Sequence, residues 1–339
     1  MSAMGLELDL PLIWAAIIVL GVIMYVLLDG FDLGVGILFP YLGSDADRDV
    51  AMNSVAPIWD GNETWLVLGG AGLFAAFPLA YSVILPGTYL PLLIMLIALI
   101  FRGVAFEFRF KARANRRWWD RAFHFGSLFA TIAQGLVLGT FIRGFEVEGR
   151  VFAGGMLDWL SPFSLLTGLA LISGYALLGA TWLIMKTEGP LQARCYDLAR
   201  RLLLAVLVFV GIVSIWTPLL NPAIAERWFG WPNVAYLSPV PLITGLVVLA
   251  HWRSLERRRE VLPFVLTMGL FLLSFLGLGI SLWPNVIPPD ISIWEAAAPP
   301  ETQGFVLIGV AILLPIILAY TAVTYYVFRG KVRGGEGYH

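Results

Sequence analysis

The sequence has a single cysteine and only three histidines in 339 residues, and charged residues make up 13% of it. The lone thiol, Cys195, excludes an internal disulfide and any metal site built from clustered cysteines. The histidines are His124, His251 and His339. The first two fall at ends of predicted spans and the third ends the sequence, so no two are placed to sandwich a haem. The chain has no nucleotide loop, no HExxH and no serine elbow. A formal net charge of -1 gives no whole-chain field that would draw nucleic acid.

Apolar residues fill the rest. Hydrophobic side chains account for 59% of the sequence and the mean hydropathy is +0.83. A soluble domain carries about one quarter charged residues. The composition therefore predicts an all-α polytopic membrane protein. Apolar runs long enough to cross a bilayer fall near residues 10–28, 65–85, 88–106, 122–142, 162–185, 202–220, 234–251, 261–283 and 304–328. These nine spans make residues 1–339 one integral membrane domain, with no room for a separate soluble one. The first run lacks a basic leader and a small-residue cleavage site, so it is read as a retained span.

Lysine and arginine sort by connection. Eighteen fall on one side of the nine spans, three (Arg143, Arg150 and Arg227) on the other, and Arg102 lies inside the third span. Arg113 is among the eighteen. The alternation predicts an N-terminus outside and a C-terminus in the cytoplasm. Tryptophans and tyrosines near span ends, Trp182 among them, read as an interfacial belt. The run Asp45-Ala46-Asp47-Arg48-Asp49 reads as a solvated loop.

One stretch organises the chain: N-S-V-A-P-I-W-D-G-N-E-T-W-L-V-L-G-G-A-G-L-F-A-A-F-P, residues 53–78. It sets Asp60 and Glu63 three residues apart, before an apolar run. Such acids share one side of a helix that begins near Asn62. Either they complement the positive end of the helix dipole or they are put to use. Pro78 should kink the span it interrupts, and Gly69, Gly70 and Gly72 suit close helix packing.

Arg102 lies deep in an apolar run. A guanidinium there needs a carboxylate such as Asp29, Asp32 or Asp60, or a bound anion, unless it snorkels to the interface. Glu107 and Lys111 stand at i, i+4 in F-E-F-R-F-K. They are either a surface ion pair or a point of proton uptake. D-G-F-D-L-G-V-G places Asp29 and Asp32 just past the first span, beside Gly34 and Gly36, which admit close backbone contact.

D-G-F-D-L-G-V-G, N-S-V-A-P-I-W-D-G-N-E-T-W-L, L-F-A-A-F-P and F-R-G-V-A-F-E-F-R occur in that order. In them the chain resembles subunit II of the cytochrome bd-type quinol oxidases, and is most similar to the cyanide-insensitive branch. The resemblance implies two four-helix bundles plus one peripheral helix, in a bacterial cell membrane. It implies a complex that oxidises quinol and reduces oxygen to water, with haem b and haem d (or b) ligated by the partner, subunit I. By the same resemblance Asp60, Trp59, Glu107 and Lys111 lie on a proton path from the cytoplasm. Arg102, Asp32 and Asp29 support the interface near the partner's haems, and the chain itself ligates no metal. Small accessory subunits and a bound quinone or lipid are compatible with it. Two other readings of the same charges stand beside this one: a proton-coupled transporter, and a purely structural membrane partner.

Overall fold

The computed structural model describes residues 8–112 and 114–333. Arg113 and His339 lie outside the described residues. The first helix, α1, spans Leu10–Leu38. Asp9 caps it by accepting the Leu12 N–H at 3.1 Å, and Pro11 presets its first turn. A 3-10 turn at Phe39–Tyr41 leads to α2, Asp45–Val55. Next come α3, Trp59–Ala76, and α4, Pro78–Gly87, then α5, Tyr89–Arg109, and α6, Arg116–Arg143. A short hairpin, Val147–Glu148 with Val151–Phe152, precedes α7, Pro162–Lys186. The second half holds α8, Gly189–Leu220; α9, Pro222–Phe229; α10, Asn233–Leu237; α11, Pro239–Glu256; and α12, Leu262–Leu282. A second hairpin, Asn285–Ile287 with Ile291–Ser292, leads to α13, Pro300–Val327.

Among the described residues, eight helices are long and apolar enough to cross a membrane. The span expected at 65–85 is instead a broken pair, α3 and α4. Phe77 leaves helical geometry at φ -133°, ψ 63° because the ring of Pro78 excludes the α region from the residue before it. Pro78 then starts the next helix, where its missing N–H costs nothing.

Helices α1, α3, α5 and α6 form one group and α7, α8, α11 and α12 a second, joined where α7 meets α1 and α6. Helix α13 lies outside both, against α1 and α3, and Gln303 is its one buried residue among those described. The α1–α7 crossing is held by glycine. A Cβ on Gly34 would stand 1.8 Å from Tyr175 O, and one on Gly179 2.3 Å from Gly34 C. In lipid, such close backbone approach replaces the hydrophobic effect as the source of helix attachment. The largest core cluster surrounds this crossing, with Phe31 stacked on Trp182 at 4.1 Å.

Three sequence expectations are corrected here. Helix α1 does not stop at Leu28 but continues ten residues further, so Asp29 and Asp32 stand inside the helix rather than past it. Nothing breaks it there, because both acids find partners within the bundle. The Asp45–Asp49 run is not a solvated loop. Ser44 and Asp47 form a capping box that starts α2, and Asp49 faces Arg109 and Arg116. Trp182 is not interfacial either. It is 2% exposed and donates Nε1–H to Ser54 Oγ at 3.1 Å.

A buried carboxylate–guanidinium cluster as the candidate site

Arg102 sits three turns along α5, with an exposure of 0%. The residues that bring it there are small. Gly126 on α6 lets that helix approach so closely that a Cβ would meet Ala98 O at 2.7 Å and Arg102 N at 2.9 Å. Its side chain points toward α1 and α3. Arg102 Nη2 lies 2.6 Å from Asp29 Oδ1 and donates to Glu63 Oε2 at 3.0 Å. Asp29 is wholly buried, while the Glu63 side chain keeps 29% exposure. Arg102 therefore does not snorkel; it is paired inside the bundle.

Asp32, one turn beyond Asp29, is also wholly buried and accepts Asn62 Nδ2–H at 2.7 Å. Tyr325 of α13 donates to Asn62 Oδ1 at 2.8 Å, which ties the outlying helix to the cluster. On the other flank, Tyr175 donates to Gln134 Oε1 at 2.8 Å and Gln134 Nε2 donates to the Tyr25 hydroxyl at 2.7 Å. Tyr25 is one turn before Asp29 on α1. The polar network thus joins α1, α3, α5, α6, α7 and α13. Two acids, Asp29 and Glu63, share one guanidinium, and a third, Asp32, is buried one turn along α1 from Asp29. Arg102 Nε and Nη1 and Asp32 Oδ1 are buried without a hydrogen-bond partner among the described residues.

Asp60 starts α3 and is exposed; its backbone carbonyl accepts the Thr64 hydroxyl at 2.9 Å. It does not reach Arg102, and Glu63 stands one turn along the helix from it. Trp59 stacks on Phe106 at 4.9 Å and lies 6.0 Å from the Arg102 guanidinium. It therefore walls the cluster on the side of Asp60. Glu107 and Lys111 form an ion pair at 3.6 Å, with side chains 56% and 69% exposed. A second ion cluster closes the same end of α5. Arg109, also wholly buried, lies 2.6 Å from Asp49 and 2.5 Å from Asp120, and Arg116 pairs with Asp49 too. Arg109 lies 5.0 Å over the Phe39 ring.

Sequence reasoning missed two members of these clusters. The sequence leaves Glu63 open between complementing the helix dipole and being put to use, without pairing it with Arg102, and Arg109 enters only among the eighteen basic residues of one side. For Glu63 the signal existed: it is the acid one helical turn after Asp60, turned toward the bundle rather than away from it. For Arg109 no local pattern distinguishes it from its neighbours, because its partners are 60 and 11 residues away in sequence.

The two described histidines, placed by the sequence at span ends, lie at helix contacts. His124 Nδ1 lies 3.0 Å from Gly36 O, and His251 Nε2 lies 2.8 Å from the Thr267 hydroxyl. Each ring is engaged with its own neighbouring helix, on α6 and α11 respectively.

Apolar helices that enclose a shared buried ion cluster, with no metal-ligand set among the described residues, define an all-α, multi-pass membrane subunit. Its relatives narrow the class. The family model described as cytochrome bd terminal oxidase subunit II matches residues 10–328. The chain is 29% identical over 360 residues to cytochrome bd-I ubiquinol oxidase subunit 2 of Escherichia coli (strain K12), with 95% of each chain covered. It is 28% identical over 343 residues to cytochrome bd ubiquinol oxidase subunit 2 of Bacillus subtilis (strain 168), covering 97% of both. In fold it is similar to a chain of the bd oxidase from Geobacillus thermodenitrificans, at a TM-score of 0.75 and 20% identity, over 94% of this chain and 99% of that one. The chain belongs to the cytochrome bd terminal oxidase subunit II family. It is a membrane subunit of a respiratory quinol oxidase complex, and the transporter reading falls away.

Proposed function

We propose that this chain is the haem-free subunit of a quinol:oxygen oxidoreductase, and that it carries protons from the cytoplasm toward the haem-bearing subunit I. The carrying observation is the graded burial of its acids. Asp60 is exposed, Glu63 half-buried, and Asp29 and Asp32 wholly buried, with Glu63 and Asp29 in contact with Arg102. Three carboxylates against one guanidinium take up a proton while moving toward neutrality, which a low-dielectric interior favours. The unpartnered polar atoms of Arg102 and Asp32 call for water, and water is what a proton needs to pass between acids too far apart to bond.

In this reading Glu107 and Lys111 collect protons at the surface and Asp60 receives them. Trp59 separates the mouth from the buried pair. Asp29, Asp32 and Arg102 hold the charge balance next to the partner. The apolar face of α5, with Leu93, Ile97, Ile100 and Val104 exposed, is the surface offered to subunit I. Haem b and haem d, or b alone, supply the redox chemistry there and are ligated by that subunit. The alternation of basic residues supports an N-terminus outside and a C-terminus in the cytoplasm of a bacterial cell, with α3 and α4 together as the second of nine crossings. Small accessory subunits and a bound quinone are left unassigned to any residue.

Asp60→Asn in the assembled complex tests this. Haem content should stay normal while quinol-dependent oxygen uptake falls by about tenfold or more. Full turnover in that variant would remove Asp60 from the path. A parallel loss of haem and turnover would assign the acid to assembly alone.

A further inference from the structure

Where α11 turns into α12, a cavity of about 630 Å³ is lined by Arg253, Ser254, Arg257, Arg259, Glu260 and Leu262, among others. The three arginines converge because the turn is tight. The Arg259 N–H returns to Ser254 O at 2.9 Å, and Arg258 adopts a left-handed φ of 48°. That conformation is one which L side chains enter at a cost. Arg253, Arg257 and Arg259 are exposed, and none has a carboxylate partner among the described residues.

The one acid in the lining is already spoken for. Glu260 lies 2.9 Å from Lys331 Nζ and accepts Gln192 Nε2–H at 3.0 Å. Glu256, the last residue of α11, accepts Trp252 Nε1–H at 2.8 Å. The start of α12 adds to the positive field, since no side chain caps its first turn. The cavity is therefore cationic and short of an anion.

Its surroundings say what kind of anion. On the bilayer side, Leu242, Leu246 and Leu249 of α11 and Leu262 and Val265 of α12 are exposed, each between 44% and 66%. They form an apolar track that starts at the rim of the cavity. A small soluble anion would use the arginines and leave the track bare. A molecule with a phosphate head and acyl chains uses both, and basic pockets between membrane helices suit acidic headgroups. We propose that Arg253, Arg257 and Arg259 form a binding site for the phosphate head of an acidic phospholipid, whose chains lie along α11 and α12.

The test uses the whole two-subunit complex, purified in mild detergent and incorporated into nanodiscs of phosphatidylglycerol mixed with phosphatidylcholine. Lipids retained after gentle re-extraction are counted by native mass spectrometry. Wild type should keep phosphatidylglycerol in preference to phosphatidylcholine. Each arginine facing the head contributes a preference of about fivefold, so the triple variant Arg253→Gln, Arg257→Gln, Arg259→Gln should lose at least about tenfold. The haem spectrum and the association of the two subunits should not change. A wild type without preference, or a triple variant that retains as much acidic lipid, overturns the proposal. So does displacement of the lipid by millimolar inorganic phosphate, which marks a site for a free anion. Where the triple variant does not assemble, Arg257→Gln alone and the wild-type preference decide the matter.

Discussion

Two regions of the molecule solve the membrane problem in opposite ways. Helices α1 to α7 bury charge: Asp29, Asp32, Arg102, Arg109 and Lys186 are all enclosed there. Helices α8 to α13 bury no charged side chain among the described residues, and most of their apolar surface is open. Helix α8 shows the contrast within itself. Its buried residues, Leu191 to Leu203, lie in the first half, where it meets α7, and the half from Leu204 onward buries none. The second region can be held by side-chain packing and lipid contact alone. The first must also hold ions out of water, and a partly satisfied ion cluster costs more than an apolar core of the same size. Such a cost is expected to persist where charges are put to use, and the proposed proton path runs through the charged core.

Removing one charge should expose the difference most. Arg102→Met leaves Asp29 and Glu63 without their cation in the bundle interior. Breaking a buried pair in this way costs about 3–5 kcal/mol. The expected outcome is little or no haem-containing complex in membranes, read from the reduced-minus-oxidised spectrum. Arg102→Met combined with Asp29→Asn should recover part of the loss, because it also removes a buried acid. A single variant that accumulates as wild type would mean that the cluster carries no structural cost, and the contrast between the regions would collapse.

A glycine pair sharpens the same contrast without touching charge. At Gly34 the added methyl of Gly34→Ala would run into the α7 backbone, whereas at Gly245 of α11 there is nothing within 4 Å. Gly34→Ala should therefore destabilise by about 3 kcal/mol, the upper end for overpacking. Gly245→Ala should gain up to about 1 kcal/mol from helix propensity. Thermal inactivation of the detergent-solubilised complex distinguishes them. Equal shifts for the two variants would show that the α1–α7 crossing relaxes more easily than its backbone contacts suggest.

These contrasts were only partly legible in the sequence. Composition and basic-residue alternation pointed to the apolar helices, because span length and charge placement are local properties. The need of Arg102 for a carboxylate was legible too, since an isolated guanidinium in an apolar run cannot stay unpaired. Its partners were not. Asp29 stood among the candidates, but Glu63 did not. The choice depends on how α1, α3 and α5 rotate about their axes, and no single helix carries that information. The overrun of α1 past Leu28 was hidden for the same reason. An acid ends a span by hydropathy, yet it continues a helix when another helix supplies its partner. Arg109 shows the limit most clearly, buried between Asp49 and Asp120 inside a segment that reads as plain surface.

The weakest effect belongs to the second region, and its sign is fixed. Glu260 lies outside the spans, where hydrogen bonds from Lys331 and Gln192 hold its carboxyl below the usual range. Its folded-state pKa is depressed, so its contribution to stability is present above the unfolded value of about 4.3 and is lost as the pH falls through the folded one. Solvent screens the exposed pair, and the gain is small. Glu260→Gln should lower the inactivation temperature slightly at neutral pH, and the difference from wild type should shrink as the pH drops below about 4. A difference that widens on acidification would reverse the sign and detach Lys331 from Glu260. Freed from Lys331, the Glu260 carboxylate would pair with Arg257 or Arg259 in the same lining, the groups that the acidic lipid is proposed to occupy.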